Sequence, residues 1–193
     1  MNNYEYIIAS LPELQRDTDQ CDIEALTAGI REQLSGKDNA LVDKLLGGWD
    51  DERLNEEFYR DALSSGNRFI RGYFSFDLSV RNAKVAWLNK TLGRPEGMDM
   101  IIIPQQDDEG FDRAAELASV LEGTDILAKE RGLDDLMWDE ADRLTQMDVF
   151  DIELILAFIV KLQIIGRWLK LDPRSGRELF RKLVEEIKNT RTI

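Results

Sequence analysis

Histidine is absent from the 193 residues, cysteine occurs once and proline four times. Without histidine there is no Ser–His or Cys–His pair, no His-ligated zinc and no side chain whose unperturbed pKa lies near neutrality. Acid–base chemistry would have to rest on shifted carboxylates or lysines. The lone Cys21 has no partner for an intramolecular disulfide, and its setting in Asp19-Gln20-Cys21-Asp22-Ile23-Glu24 disfavours the thiolate. It reads as a small helix residue in a reducing compartment. Basic residues are also scarce: 25 Lys and Arg face 38 Asp and Glu, a net charge of -13. That field opposes binding to nucleic acid and to anionic lipid, because both need a cationic footprint. The opening Met1-Asn2-Asn3-Tyr4-Glu5-Tyr6 lacks the basic start of a signal peptide, and the apolar stretch 7–11 is too short for its hydrophobic region. The expected location is cytoplasmic.

What the chain does have is helical periodicity. With 43% hydrophobic residues it can build one sizeable core or two small lobes, which would divide at 1–100 and 101–193. Apolar residues recur with a period near 3.6 and the runs stop at Gly, Ser-Gly or Pro, so the expected fold is an all-α, compact multi-helix array. Ile23, Leu26, Ile30 and Leu34 mark a first face, stopped by Ser35-Gly36. Leu41, Val42, Leu45 and Leu46 mark a second, and a third follows Trp49-Asp50-Asp51 through Leu54, Phe58 and Ala62. A long helix over about 67–92 carries Ile70, Phe74, Leu78, Val85, Leu88 and Leu92 on one stripe. Helices are also expected around Phe111–Leu121, over 125–131 and over 133–144, with Gly123 and Gly132 as punctuation, and the stretches 4–11 and 100–103 fit a strand as well as a helix. The segment 149–171 leaves only Glu153, Lys161, Arg167 and Lys170 as a thin polar stripe, so it is expected to be the buried central helix. Its charges argue against a membrane span. Leu171-Asp172-Pro173 then restarts a last helix with a basic solvent face.

Candidate sites are few, and no catalytic, cofactor or metal set is expected. Asp77 and Arg81 lie on or beside the long stripe at the spacing of an intrahelical ion pair, read as structural. A calcium-loop alignment on Gly110 places Asp107, Glu109 and Glu116 at ligand positions, but Gln105 stands first and Arg113 ninth, so the acids are better read as favouring a helix start. Asp50-Asp51-Glu52 and Asp134-Asp135 are read the same way. Ser35-Gly36-Lys37 lacks the upstream glycine of a phosphate loop and is read as a helix stop. Trp87, Trp138 and Trp168 are expected in the core. Trp49 is assigned there too, with an exposed contact role as its alternative, and Arg177, Arg181 and Lys182 are the other candidate partner contacts.

A resemblance reaches further. Tyr4-Glu5-Tyr6-Ile7-Ile8-Ala9-Ser10-Leu11-Pro12-Glu13-Leu14 resembles the start of a family of short bacterial proteins of unknown function encoded in V-type ATPase operons. Phe74-Ser75-Phe76-Asp77-Leu78-Ser79-Val80-Arg81-Asn82-Ala83-Lys84 is similar to a helix of the V-type and A-type ATPase C subunit (subunit d), and Ala157-Phe158-Ile159-Val160-Lys161-Leu162-Gln163-Ile164-Ile165-Gly166-Arg167-Trp168 resembles the late helix of the short family. The C subunit is a longer, three-lobed helical funnel on the cytoplasmic face of the membrane rotor ring, where it receives the central shaft. The resemblance therefore implies a non-catalytic C-like or accessory subunit, peripheral to the inner membrane, with shaft and rotor-ring subunits as partners and no cofactor. The alternatives are a free-standing assembly or regulatory adaptor and, less favoured, an enzyme built on Asp77 with Arg81 or on Asp107 to Glu109.

The acidity is uneven: 1–100 carries -6, 101–148 carries -10 and 149–193 carries +3. A molecule polarised in this way is expected to face a cationic partner with its middle segment and an anionic one with its tail.

Overall fold

Five of the helices start where a short polar side chain accepts one of the first free backbone N–H groups. The computed structural model describes residues 4–103 and 113–170. Among these, α1 (Tyr4–Ser10) is followed by α2 (Ile23–Gln33), opened by Asp22, whose carboxylate accepts from the Ala25 N–H at 2.9 Å. The strand-compatible stretch 4–11 is thus a short helix. Ser35-Gly36 ends α2 and at once opens α3 (Gly36–Gly47): Ser35 Oγ accepts from the Asp38 N–H at 3.2 Å and donates to the Asp38 carboxylate at 2.7 Å. This is a reciprocal cap, so the pair is a start as much as a stop.

Asp50-Asp51-Glu52 does not open a helix. Asp50 accepts from the Glu52 N–H at 3.2 Å and pairs with Arg53 in a turn, and α4 (Glu56–Leu63) begins only after Asn55, which accepts from the Phe58 N–H. Then α5 (Arg68–Leu92) runs from an Asn67 cap to Gly93, which ends it at φ 63°, a left-handed geometry that glycine adopts without strain.

The segment 100–103 is not a strand. The Asn82 amide clasps it, donating to the Ile101 carbonyl at 2.8 Å and accepting from the Ile101 N–H at 3.0 Å, while Asn89 donates to the Met98 carbonyl at 2.8 Å. Two asparagines two turns apart on α5 therefore supply the backbone partners that a sheet would. Asn82→Ala removes both bonds to Ile101 and is expected to cost about 2 kcal/mol. Hydrogen exchange checks this, with faster exchange at residue 101 and little change in the core of α8.

After α6 (Ala114–Glu122) comes α7 (Ile126–Thr145), opened by Asp125, which accepts from the Leu127 and Ala128 N–H groups. Gly132 does not interrupt it. A Cβ there would come within 2.9 Å of Val120 Cγ1, so the glycine lets α6 lie close against α7. Last comes α8 (Ile152–Lys170), which packs against α7, α3, α1 and α2 and buries Ile155, Leu156, Ile159, Val160 and Leu162 completely. It is the central helix that its nearly continuous apolar surface implies. One hydrophobic cluster draws on all eight helices, from Ile7 to Ile165. The architecture is all-α, with no strand among the described residues. No helix among them is long and apolar enough to cross a membrane.

Candidate functional site

Among the described residues, two clusters join inward-facing polar side chains of neighbouring helices. In the first, Tyr59 of α4, fully buried, donates its hydroxyl to the Asp77 carboxylate of α5 at 2.6 Å. Asp77 and Arg81 are one turn apart as the spacing requires, yet no acid of the described residues lies within 4.0 Å of the Arg81 guanidinium. The tyrosine from the neighbouring helix has taken the carboxylate instead. Burial pushes the Asp77 carboxyl above its ordinary value, with the Tyr59 hydrogen bond and then the charges of Arg81 and Lys84 pulling it back. Tyr59 and Tyr73 are pushed up as well, first by burial and then by the Asp77 charge, so both stay protonated at any physiological pH.

A carboxyl whose folded pKa exceeds its unfolded one costs stability once it is charged, and the cost is relieved as pH falls through the folded value. Asp77→Asn, which can still accept from Tyr59, is therefore expected to raise the thermal midpoint near pH 7. It should also remove part of the gain the native protein shows on acidification from about pH 7 towards the usual carboxylate range, about pH 4. Unfolding curves across that interval check the sign.

The second cluster joins α7 to α8. Asp134, buried in the middle of α7 and not at a helix start, accepts from Arg167 Nη1 at 2.8 Å and from the Trp168 indole N–H at 2.7 Å, while Glu130 takes the other Arg167 nitrogen. Burial raises the Asp134 carboxyl and the Arg167 charge lowers it. Asp135 lies beside it, paired with Arg16. Each of these acids is hydrogen-bonded or paired with a partner within the fold. Among the described residues no group of three potential ligands can hold a metal ion. A shallow cleft lined by Ser119, Val120, Gly123, Thr124, Asp125, Ala128 and Lys129 contains no paired carboxylates.

The described part of the acidic middle segment is engaged largely in internal pairing. Between 113 and 148 eight of the ten acids form ion pairs: Glu116 and Asp139 with Arg113, Asp135 and Asp139 with Arg16, Glu130 and Asp134 with Arg167, Glu140 with Arg143, Asp142 with Lys161, and Asp148 with Arg68. The remaining two are Glu122 and Asp125, the α7 cap. These charges tie the N-terminal loop, the start of α5 and α8 to α7.

Among the described residues Tyr6, Met98 and Ile102 are exposed, and other exposed apolar side chains gather at two ends of one helix pair. The antiparallel pairing of α5 with α7 is fixed by Arg68, which donates to the Leu144 carbonyl at 3.0 Å and pairs with Asp148, and by Lys129, whose Nζ stands 4.4 Å from the Trp87 ring centroid. At the Arg68 end the loop between α7 and α8 exposes Met147, Val149 and Phe150, at 88%, 66% and 52%. At the Lys129 end lie Leu88, Leu92, Ile126 and Leu127, all exposed. The two groups are separated by the 20 residues of α7, about 30 Å at the usual helical rise. Exposed apolar groups of this kind mark contact surfaces. Periodicity alone placed Leu88 and Leu92 on a continuous stripe, and nothing in it showed where the covering helices end.

Of the candidate contacts, Trp49 is half-buried and packs against the core cluster. Arg177, Arg181 and Lys182 lie outside the described residues, as do Gln105, Asp107, Glu109 and the restart at Asp172-Pro173. Cys21 is half-buried, and burial followed by the Asp22 charge pushes its thiol up.

Residues 47–191 match the model of a family described as protein of unknown function (DUF2764). The chain belongs to that family. The match takes in α4 to α8, hence both polar clusters and both apolar ends, whereas the opening motif from Tyr4 to Leu14 precedes it. No curated protein and no solved structure matches the chain.

Proposed function

We propose that this protein is a non-catalytic, C-like or accessory subunit of a V-type ATPase, which couples the central shaft to the membrane rotor ring through protein contacts. The observation that carries the coupling role is the pair of exposed apolar groups held about 30 Å apart on one α5–α7 frame. A part that passes force between two neighbours needs two separate contact ends and a stiff connection between them. The internal ion pairs of α7 and the single shared core support that stiffness. The sequence resemblance of 74–84 and 157–168 supplies the choice of assembly, and these stretches form parts of α5 and α8.

The test is co-purification. With the tagged protein expressed at native level, the reading expects recovery in fixed stoichiometry with the ATPase, including its rotor ring, and reproducible absence from the intact complex contradicts it. Sub-stoichiometric recovery confined to immature complexes would assign the protein to assembly instead.

A further inference from the structure

The apolar stripe of α5 outlasts its cover. Ile70, Phe74 and Leu78 are buried, whereas Leu88 and Leu92, further along the same stripe, are 43% and 54% exposed. The α4 helix touches α5 through Phe58 and Tyr59 at the level of Phe74 and Asp77. Beyond that level the stripe presents Arg81, Lys84, Val85, Leu88 and Leu92, three turns of helix face with two cations at one end and apolar side chains along the rest.

Most of the other arginines among the described residues are engaged, whereas Lys90, further along the same half of α5, and Arg94, just past its end, have no ion pair either. Arg16, Arg31, Arg53, Arg60, Arg68, Arg113, Arg143 and Arg167 each pair with a carboxylate, and Arg71 and Arg131 donate to backbone carbonyls. Neither Arg81 nor Lys84 has an acid within ion-pair distance among the described residues, and the Arg81 Nε is buried without an acceptor. Among the described residues, a chain with a net charge of -13 thus keeps Arg81, Lys84, Lys90 and Arg94 without an ion pair beside an exposed apolar face, although Arg81 and Lys84 also act on the Asp77 charge.

We propose that this face docks an acidic amphipathic helix of a partner protein. Its apolar residues seat on Val85, Leu88 and Leu92, and its carboxylates pair with Arg81 and Lys84. The surface gives the chemistry of one of the two contact ends and rests on the reading above only for the assembly in which the partner is found. Charge complementarity selects the occupant. A second copy would bring another net charge of -13, and isologous pairing would set cations against cations. An anionic lipid surface is repelled by the same net charge. An acidic helix finds here an exposed apolar face whose adjoining cations have no ion pair among the described residues, and its apolar stripe matches a helix face in the way helix-in-groove recognition requires.

The test places the photoreactive residue p-benzoylphenylalanine at position 88 of the full chain, expressed in the native host, and maps the cross-linked residue by mass spectrometry. The expected adduct lies on a helix that carries Asp or Glu within one turn of the linked residue. Leu92→Gln, at an exposed position, is expected to leave the thermal midpoint unchanged and Lys84→Glu to lower it slightly, because its charge acts on Asp77; each is expected to reduce the adduct by about tenfold. Rising salt should reduce it too, as exposed charge pairing is screened. An adduct to a second copy, to lipid or to a segment without acids overturns the proposal, as does no adduct, or one undiminished by Lys84→Glu. If the ATPase is not recovered while the acidic-helix adduct persists, the assembly assignment fails and the surface stands. Stoichiometric recovery of the ATPase by the Lys84→Glu, Leu92→Gln double variant overturns the surface alone.

Discussion

Phe74→Ala is expected to lower the unfolding free energy by about 3–5 kcal/mol, the usual cost of emptying a buried phenylalanine site. The ring is 1% exposed and stands edge-on to Phe58 at 5.0 Å and to Tyr73 at 5.5 Å, so it joins α4 to α5 from the inside. Those neighbours are themselves aromatic and sit on helices fixed by their own caps, Asn55 and Asn67. The site therefore has little freedom to collapse, which places the loss towards the upper part of the usual range. Set against a typical total of about 5–15 kcal/mol, such a loss leaves little native state at moderate urea. Urea unfolding checks it. Leu92→Ala on the same stripe, at an exposed position, should change stability by less than about 0.5 kcal/mol, and comparable losses at the two positions would mean that the stripe is covered along its whole length.

The second large effect concerns association. Met147, Val149 and Phe150 lie next to one another on the loop between α7 and α8, and the loop is anchored beneath them by the Arg68–Asp148 pair and by Asn67, which donates to Glu153 at 3.0 Å. An apolar group held on an anchored loop loses little freedom when a partner covers it, which is the setting in which a few residues carry most of an interface. Phe150→Ser together with Met147→Ser is expected to weaken association with the intact ATPase by about 2 kcal/mol or more, roughly thirtyfold, with the thermal midpoint unchanged. Titration of labelled protein against the purified complex measures it. An affinity equal to that of the native chain would remove this loop from the contact surface.

Helix positions could be read from the sequence because their determinants are local. Caps at Asp22, Asn55, Asn67 and Asp125 and the left-handed stop at Gly93 are decided by neighbours a few residues away. The central place of α8 followed from composition, since a surface apolar almost all round has no stable position except inside. The features that escaped depend on residues distant in the chain. Gly132 reads as a stop until Val120 is brought against it. Asp134-Asp135 reads as a helix start until Arg167, Trp168 and Arg16 arrive from other elements. Asn82 carries no signal at all for the segment it clasps, 19 residues further on. The ion pair expected of Asp77 and Arg81 had the right spacing, but spacing does not exclude a better partner from a neighbouring helix, and Tyr59 is that partner. Net charge by segment could not show, for the same reason, that eight of the ten described acids in the acidic stretch have counterions from within the fold.

The central claim is that the molecule works as a two-ended connector. Its most direct test is a paired cross-linking measurement on the assembled complex, with the photoreactive residue at Phe150 in one preparation and at Leu127 in the other, and the linked subunit identified in each. The account predicts two different subunits, one for each end of the α5–α7 frame. Adducts from both positions on a single subunit, or from neither position on any subunit, would contradict it.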